Sequence, residues 1–220
     1  MRDASILSVY VKLYRRFGPQ GWWPAKTPFE VMVGAVLTQN TNWGNVEKAI
    51  AGLKRRRLLS AARMAAMPRA ALARLIRPAG YYNVKARRLK ACVDFFNARY
   101  AGQWRRMARQ DTQSLRALLL EVNGIGEETA DSILLYALGK PVFVVDAYTK
   151  RIFSRHGFFP HDMPYAAAQS FFMSELKQDT RLFNEFHALI VRTGKEYCRK
   201  RSPRCDSCPL RTLSRVVRDA

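Results

Sequence analysis

Leu120-Glu121-Val122-Asn123-Gly124-Ile125-Gly126-Glu127-Glu128-Thr129-Ala130-Asp131 reads as the end of one helix, a tight Gly-x-Gly hairpin and the start of a second helix. Gly124 and Gly126 lack Cβ, so positive φ is open to both and another backbone can lie close. The second helix offers its first unpaired N–H groups to an anion, and phosphate is the obvious candidate. The apolar run that follows ends at Val142-Phe143-Val144-Val145-Asp146, a carboxylate emerging from hydrophobic chain. A grip on a duplex backbone with a lone carboxylate downstream suggests chemistry performed on DNA.

The charge balance points the same way. The 220 residues include 38 Lys and Arg against 17 Asp and Glu, a formal charge of +21. A field of that sign favours a polyanionic partner and speeds its capture. Between Lys54 and Arg109, sixteen basic residues face the single acid Asp94, with Tyr81, Tyr82 and Trp104 interleaved. Solvated helix faces would account for the charges alone; with the aromatics and the hairpin they favour nucleic acid.

An apolar content of 48% is enough for a real core, in one large domain or two small ones. No apolar run approaches the roughly 20 residues that span a bilayer. Lys12, Arg15 and Arg16 interrupt any signal-peptide core. The expectation is a cytoplasmic, nucleoid-associated protein with no membrane partner. Of the four cysteines, Cys198, Cys205 and Cys208 crowd together, which in a reducing compartment argues for metal ligation over disulfides. Cys92 reads as a buried core cysteine.

The pattern is helical almost throughout, and no strand-like alternation runs far enough to trust. Ile6, Val9, Tyr10, Leu13, Tyr14 and Phe17 form one stripe, closed by Gly18-Pro19. Thr27-Pro28-Phe29-Glu30 is a helix start in which Thr27 caps and Glu30 completes a capping box. That helix, to about Leu37, is apolar on nearly all sides and therefore central. Further helices are expected over 45–57, 70–77, 83–100 and 114–122, with Pro78-Ala79-Gly80 separating two of them. Ile133, Leu134, Ala137 and Leu138 give the helix after the hairpin a buried face. The fold class is all-α. No Gly/Ser-rich linker marks a boundary, so a second domain must pack closely on the first.

Gly124-Ile125-Gly126, Asp146 and Cys198-x6-Cys205-x2-Cys208, in this order and spacing, resemble the endonuclease III branch of the helix-hairpin-helix DNA glycosylases. The hairpin alone occurs in many DNA-binding proteins; the combination is specific. The resemblance runs over residues 27–213. It implies a two-domain fold: a six-helix barrel domain over 26–140 that carries the hairpin, and a second helical domain from 1–25 and 141–220 that carries the cysteine cluster. The DNA-binding cleft would lie between them. Trp22-Trp23-Pro24, Val36-Leu37-Thr38-Gln39-Asn40-Thr41, Trp43 and Pro78-Ala79-Gly80-Tyr81-Tyr82-Asn83-Val84-Lys85-Ala86-Arg87 resemble more closely the 3-methyladenine DNA glycosylase subgroup.

That resemblance implies a monomeric enzyme acting on double-stranded DNA that contains a damaged base, with an alkylated purine as the substrate. The base would be turned out of the stack into a pocket of Trp23, Pro24 and Trp43. An indole face attracts an electron-poor, often cationic base. Lys195 lies at a position resembling a pocket lysine of the subgroup; if buried, it would need a neutral or modified amine or a paired acid. Gln39 would fill the space left by the flipped nucleotide. Asn40, Gly124, Ile125, Gly126 and Thr129 would contact the DNA backbone. Asp146 would stabilise the oxocarbenium-like sugar or activate water. It is equally suited to cap a helix starting at Ala147, and the two roles are compatible.

Glu128 stands where family members that also cut the abasic strand carry a lysine. A carboxylate cannot form the Schiff base that this cut requires, so the expectation is base removal without strand cleavage. Lys150 and Lys195 are the remaining candidate nucleophiles. One alternative is a bifunctional glycosylase and abasic-site lyase acting on oxidised pyrimidines; another is a non-catalytic DNA-binding module. The family's [4Fe–4S] cluster takes four cysteines, and here the fourth position is Ser214. Three outcomes stay open: a cluster completed by serine oxygen or an outside ligand, zinc, or a vestigial site.

Overall fold

The computed structural model describes residues 5–22 and 25–213. Every regular element among them is helical, as the periodicity predicts. The chain forms two compact units, one of Met1–Trp22 with Pro141–Ala220, the other of Trp23–Lys140.

In the unit of residues 23–140, α2 (Pro28–Thr38) is the central element, with nine consecutive residues from Phe29 to Leu37 buried. Thr27 caps it by accepting from the Glu30 N–H at 3.2 Å. Glu30 does not close the expected box. Its carboxylate accepts from the Lys26 N–H and pairs with Lys54 at 2.5 Å, which makes a buried acid tolerable. α3 (Trp43–Arg55) and α6 (Tyr82–Tyr100) pack on α2, and α4 (Ala61–Ala66) and α5 (Arg69–Leu75) pack on α6. Three more helices follow: α7 (Trp104–Arg109), α8 (Thr112–Glu121) and α9 (Glu127–Ser132). A π-turn over Ile133–Ala137 extends α9. α6 buries Leu89, Cys92, Val93 and Phe96 along one side. Burial pushes the Cys92 thiol up to about 12, in keeping with a core cysteine.

The other unit is built from α1 (Ile6–Phe17), α10 (Ala147–Arg155), α11 (Tyr165–Glu175) and α12 (Thr180–Glu196). Ile6, Val9 and Leu13 of the predicted stripe are buried. The core is a set of phenylalanines, Phe143, Phe153, Phe172, Phe183 and Phe186, none of which reaches solvent. Phe143 stacks on Phe172 with ring centroids 4.2 Å apart. Each ring contributes about 1.5–3 kcal/mol by leaving water. Phe143 belongs to the irregular segment before α10, and the Gln169 amide holds its carbonyl at 2.7 Å. That anchorage delivers Asp146 to the start of α10.

Candidate active site and cysteine loop

At the hairpin the two glycines behave differently. Gly124 has φ +85°. A Cβ there would come within 2.6 Å of Arg88 Cδ and closer still to Cγ, so only glycine fits beneath that side chain. Gly126 is extended (φ −93°, ψ 178°) and open space lies where its Cβ would be. It serves as the uncapped N-terminus of α9, facing outward, rather than as a left-handed corner. Ile125 is buried and its N–H donates to Val122 O at 3.0 Å, closing the turn.

The hairpin is tied to the end of α2 by Gln39. Its Nε2 donates to Gly124 O and to Thr129 Oγ1, both at 3.0 Å, and its Oε1 accepts from Arg88 at 2.5 Å. Asn40 follows in the left-handed region (φ 53°) and is exposed. The end of α2 is held from the other side by Lys85, an almost fully buried lysine that donates to Leu37 O at 2.8 Å and Ala79 O at 2.7 Å. Burial, and then the Arg88 charge, lower its pKa to about 8. Below the hairpin, Asp131 is wholly buried and takes both arms of Arg116, at 2.7 and 3.0 Å. Glu127 adds a second carboxylate 3.5 Å from that guanidinium. Glu128 is exposed at the start of α9.

Asp146 is the N-cap of α10, as its position before Ala147 suggests. Oδ1 accepts from the Thr149 N–H at 2.7 Å and from the Thr149 hydroxyl at 2.9 Å. Oδ2 lies 3.6 Å from His187 Nε2 on α12, and the carboxylate is only 12% exposed. Burial pushes its pKa up, but His187 and the two Thr149 donors outweigh this and hold it below the ordinary carboxylate value. Asp146 is thus ionised at neutral pH. Trp22 sets its ring edge-on against His187, with centroids 6.3 Å apart.

Of the expected base pocket, Trp23 and Pro24 lie outside the described residues. Trp43 opens α3, half-buried, with its indole N–H on Glu47 at 2.9 Å. Lys195 is exposed in the last turn of α12. Lys150 donates to Met163 O at 2.8 Å. His187, Arg88 and Lys85 carried no signal as site residues in the sequence. Lys85 and Arg88 were two charges in a basic run, and His187 one of three histidines.

Cys198, Cys205 and Cys208 do come together, lining one small indentation with Arg155, His156 and Tyr197. The loop is strapped to α10: Arg151 donates to Cys198 O at 2.8 Å and Arg155 to Arg199 O at 2.7 Å. The Arg155 guanidinium also stands 3.6 Å from Cys198 Sγ. Ser214 lies outside the described residues. Among the described residues, no three His, Cys, Asp or Glu side chains converge tightly enough to hold a single ion.

Residues 33–178 match the HhH-GPD superfamily base excision DNA repair protein family. The chain belongs to that superfamily. It is 49% identical over 208 residues to a Methanocaldococcus jannaschii protein that bears the provisional name DNA repair glycosylase MJ1434; the match covers 94% of each chain. It is 30% identical over 218 residues to the thymine/uracil-DNA glycosylase of Pyrobaculum aerophilum, covering 95% of this chain and 87% of the other. In structure it is similar to the H. pylori 3-methyladenine DNA glycosylase MagIII bound to 1,N6-ethenoadenine. There the TM-score is 0.77 at 29% identity, covering 89% of this chain and 98% of that one. As a member of the superfamily the chain is a DNA repair glycosylase with an all-helical fold.

Proposed function

We propose that this glycosylase excises an alkylated purine from double-stranded DNA by hydrolysis alone and leaves the abasic strand intact. The observation that carries the reading is the state of Asp146: ionised, nearly buried, with one oxygen locked by Thr149 and the other facing His187. A fixed carboxylate in a poorly hydrated place stabilises a developing sugar cation far more than one in water. Because Thr149 occupies Oδ1, Oδ2 is the atom assigned to the reaction, against the sugar or an attacking water. An alkylated purine leaves readily, so this modest assistance suffices. The likeness to MagIII supports the purine reading; the likeness to a thymine/uracil enzyme makes a pyrimidine mismatch its natural competitor.

The hairpin amides beyond Gly124 are assigned to one phosphate, positioning the duplex without reading its sequence. For Gln39 to enter the gap left by a flipped nucleotide, it must exchange its bonds to Gly124, Thr129 and Arg88 for bonds to DNA. Hydrolysis without strand cleavage is supported by Glu128 at the lyase position, with Lys150 engaged at Met163. The cysteine loop is assigned to an iron–sulfur cluster, which when bound would order that loop; Cys198, Cys205 and Cys208 supply three of its ligands. Base release from duplexes with alkylated, oxidised or mismatched bases tests the substrate. Release confined to alkylated purines is expected, and turnover of thymine or uracil mismatches alone would overturn it. Borohydride trapping tests the chemistry, since a covalent protein–DNA adduct would refute hydrolysis alone.

A further inference from the structure

The cysteine loop provides three sulfurs, and Ser214 stands where a fourth cysteine would complete the set. A neutral hydroxyl is a poor match for iron that otherwise sees thiolates. Another side chain approaches the three cysteines from a different element. His156 follows the last turn of α10 and lines the same indentation as Cys198, Cys205 and Cys208. Its ring interacts with the backbone of Leu213, the residue next to Ser214 in sequence. Its Nδ1 is buried and has no hydrogen-bond partner among the described residues.

An imidazole nitrogen buried without a partner is costly, so a native protein that keeps one calls for a reason. A metal bond would supply it. Metal-ligating histidines give their second ring N–H to a carboxylate, a water or a backbone carbonyl, which fixes ring and tautomer; Leu213 is placed to do this for His156.

We infer that His156 Nδ1 is the fourth ligand of the cysteine loop, completing a Cys3His set in place of the missing cysteine. The inference rests on the reading of this loop as an iron–sulfur site. A cluster distributes its ligands over separate irons, whereas a single zinc ion draws every sulfur to about 2.3 Å. Exchanging a thiolate for a neutral imidazole removes one negative charge from the set. Arg155, beside Cys198, lowers it further.

The test uses the full chain purified without oxygen, with iron, sulfide and zinc quantified and the reduced protein examined by pulsed EPR for nitrogen coupling. Wild type is expected to carry iron and sulfide with a strong imidazole nitrogen coupling. His156→Ala should lose most of its iron. His156→Cys should keep the iron and lose the coupling, and its circular dichroism guards against misfolding. Ser214→Ala should match wild type. Iron without nitrogen coupling, or full iron in His156→Ala, overturns the histidine ligand while leaving the cluster in place. Zinc without iron overturns the cluster; the histidine ligand then survives only if His156→Ala sheds the zinc. A wild-type protein that takes up neither metal on reconstitution sinks both.

Discussion

Alanine at position 124 is expected to damage the protein, and alanine two residues later to leave it standing. Gly124 sits at φ +85°, a region that costs a non-glycine residue about 1–3 kcal/mol. The new Cβ would also lie 2.6 Å from Arg88 Cδ and 2.8 Å from its Nε. Arg88 is not free to swing away, because its guanidinium holds Gln39. Overpacking of this kind adds about 1–3 kcal/mol, for a total of roughly 2–6. Against a whole-protein stability of about 5–15 kcal/mol, that loss is large. Gly126 has ordinary φ and open space at its Cβ, so alanine there should change stability by no more than about 1 kcal/mol. Urea denaturation reads both: Gly124→Ala should lower the midpoint with the slope unchanged, while Gly126→Ala stays near wild type. Duplex affinity should behave the other way for Gly126→Ala, because the added methyl occupies the space assigned to a phosphate. Equal destabilisation by both variants, or a Gly124→Ala protein as stable as wild type, would refute the division of labour.

Four further outcomes follow from the buried charges. Asp146→Asn keeps a competent N-cap, so thermal stability should hold while base release falls by about 10²–10⁴-fold. The depressed Asp146 pKa keeps it ionised at and above the ordinary aspartate value, so base release should fail only at more acid pH; His187→Ala should move that acid limb to higher pH. Arg116→Ala strands the fully buried Asp131 and should cost about 3–5 kcal/mol in denaturation experiments, with Asp131→Asn recovering part of it. Lys85 titrates at about 8 when folded and near 10.4 when unfolded; between those values the unfolded chain binds more protons, so stability should rise with pH there. Lys85→Met should flatten that slope.

The sequence disclosed those elements whose chemistry is local. A glycine pair between two helices, a threonine three residues before a glutamate and an aspartate before Ala147 each act on backbone within a turn, and each is found at a helix start or corner. What it hid depends on partners far along the chain. Gly124 and Gly126 look equivalent as letters; only the Arg88 side chain over one of them separates their roles. Lys85 counts as one basic residue in a basic run, yet it is buried and spends its charge on two carbonyls. The short helices α4 and α7 hold fewer than two turns, too little for a period to show. His187 approaches Asp146 from a helix that nothing local links to it.

One helix connects the carboxylate assigned to the reaction, Asp146, to the cysteine loop. α10 has nine residues, a length of about 13–14 Å at 1.5 Å per residue. Asp146 caps its first turn, Arg151 at its middle and Arg155 at its far end hold the cysteine loop, and His156 lines the indentation beside it. Asp146 draws its low pKa from Thr149 and His187, neither of which belongs to that loop. Stripping the cluster assigned to that loop should therefore loosen the end of α10 and lower the unfolding temperature without neutralising the carboxylate. Base release per folded molecule, measured well below that temperature after chelation, should stay within a fewfold of the loaded protein. A collapse of base release at unchanged thermal stability would mean that the metal acts on the chemistry itself, and that the helix does not insulate one end from the other.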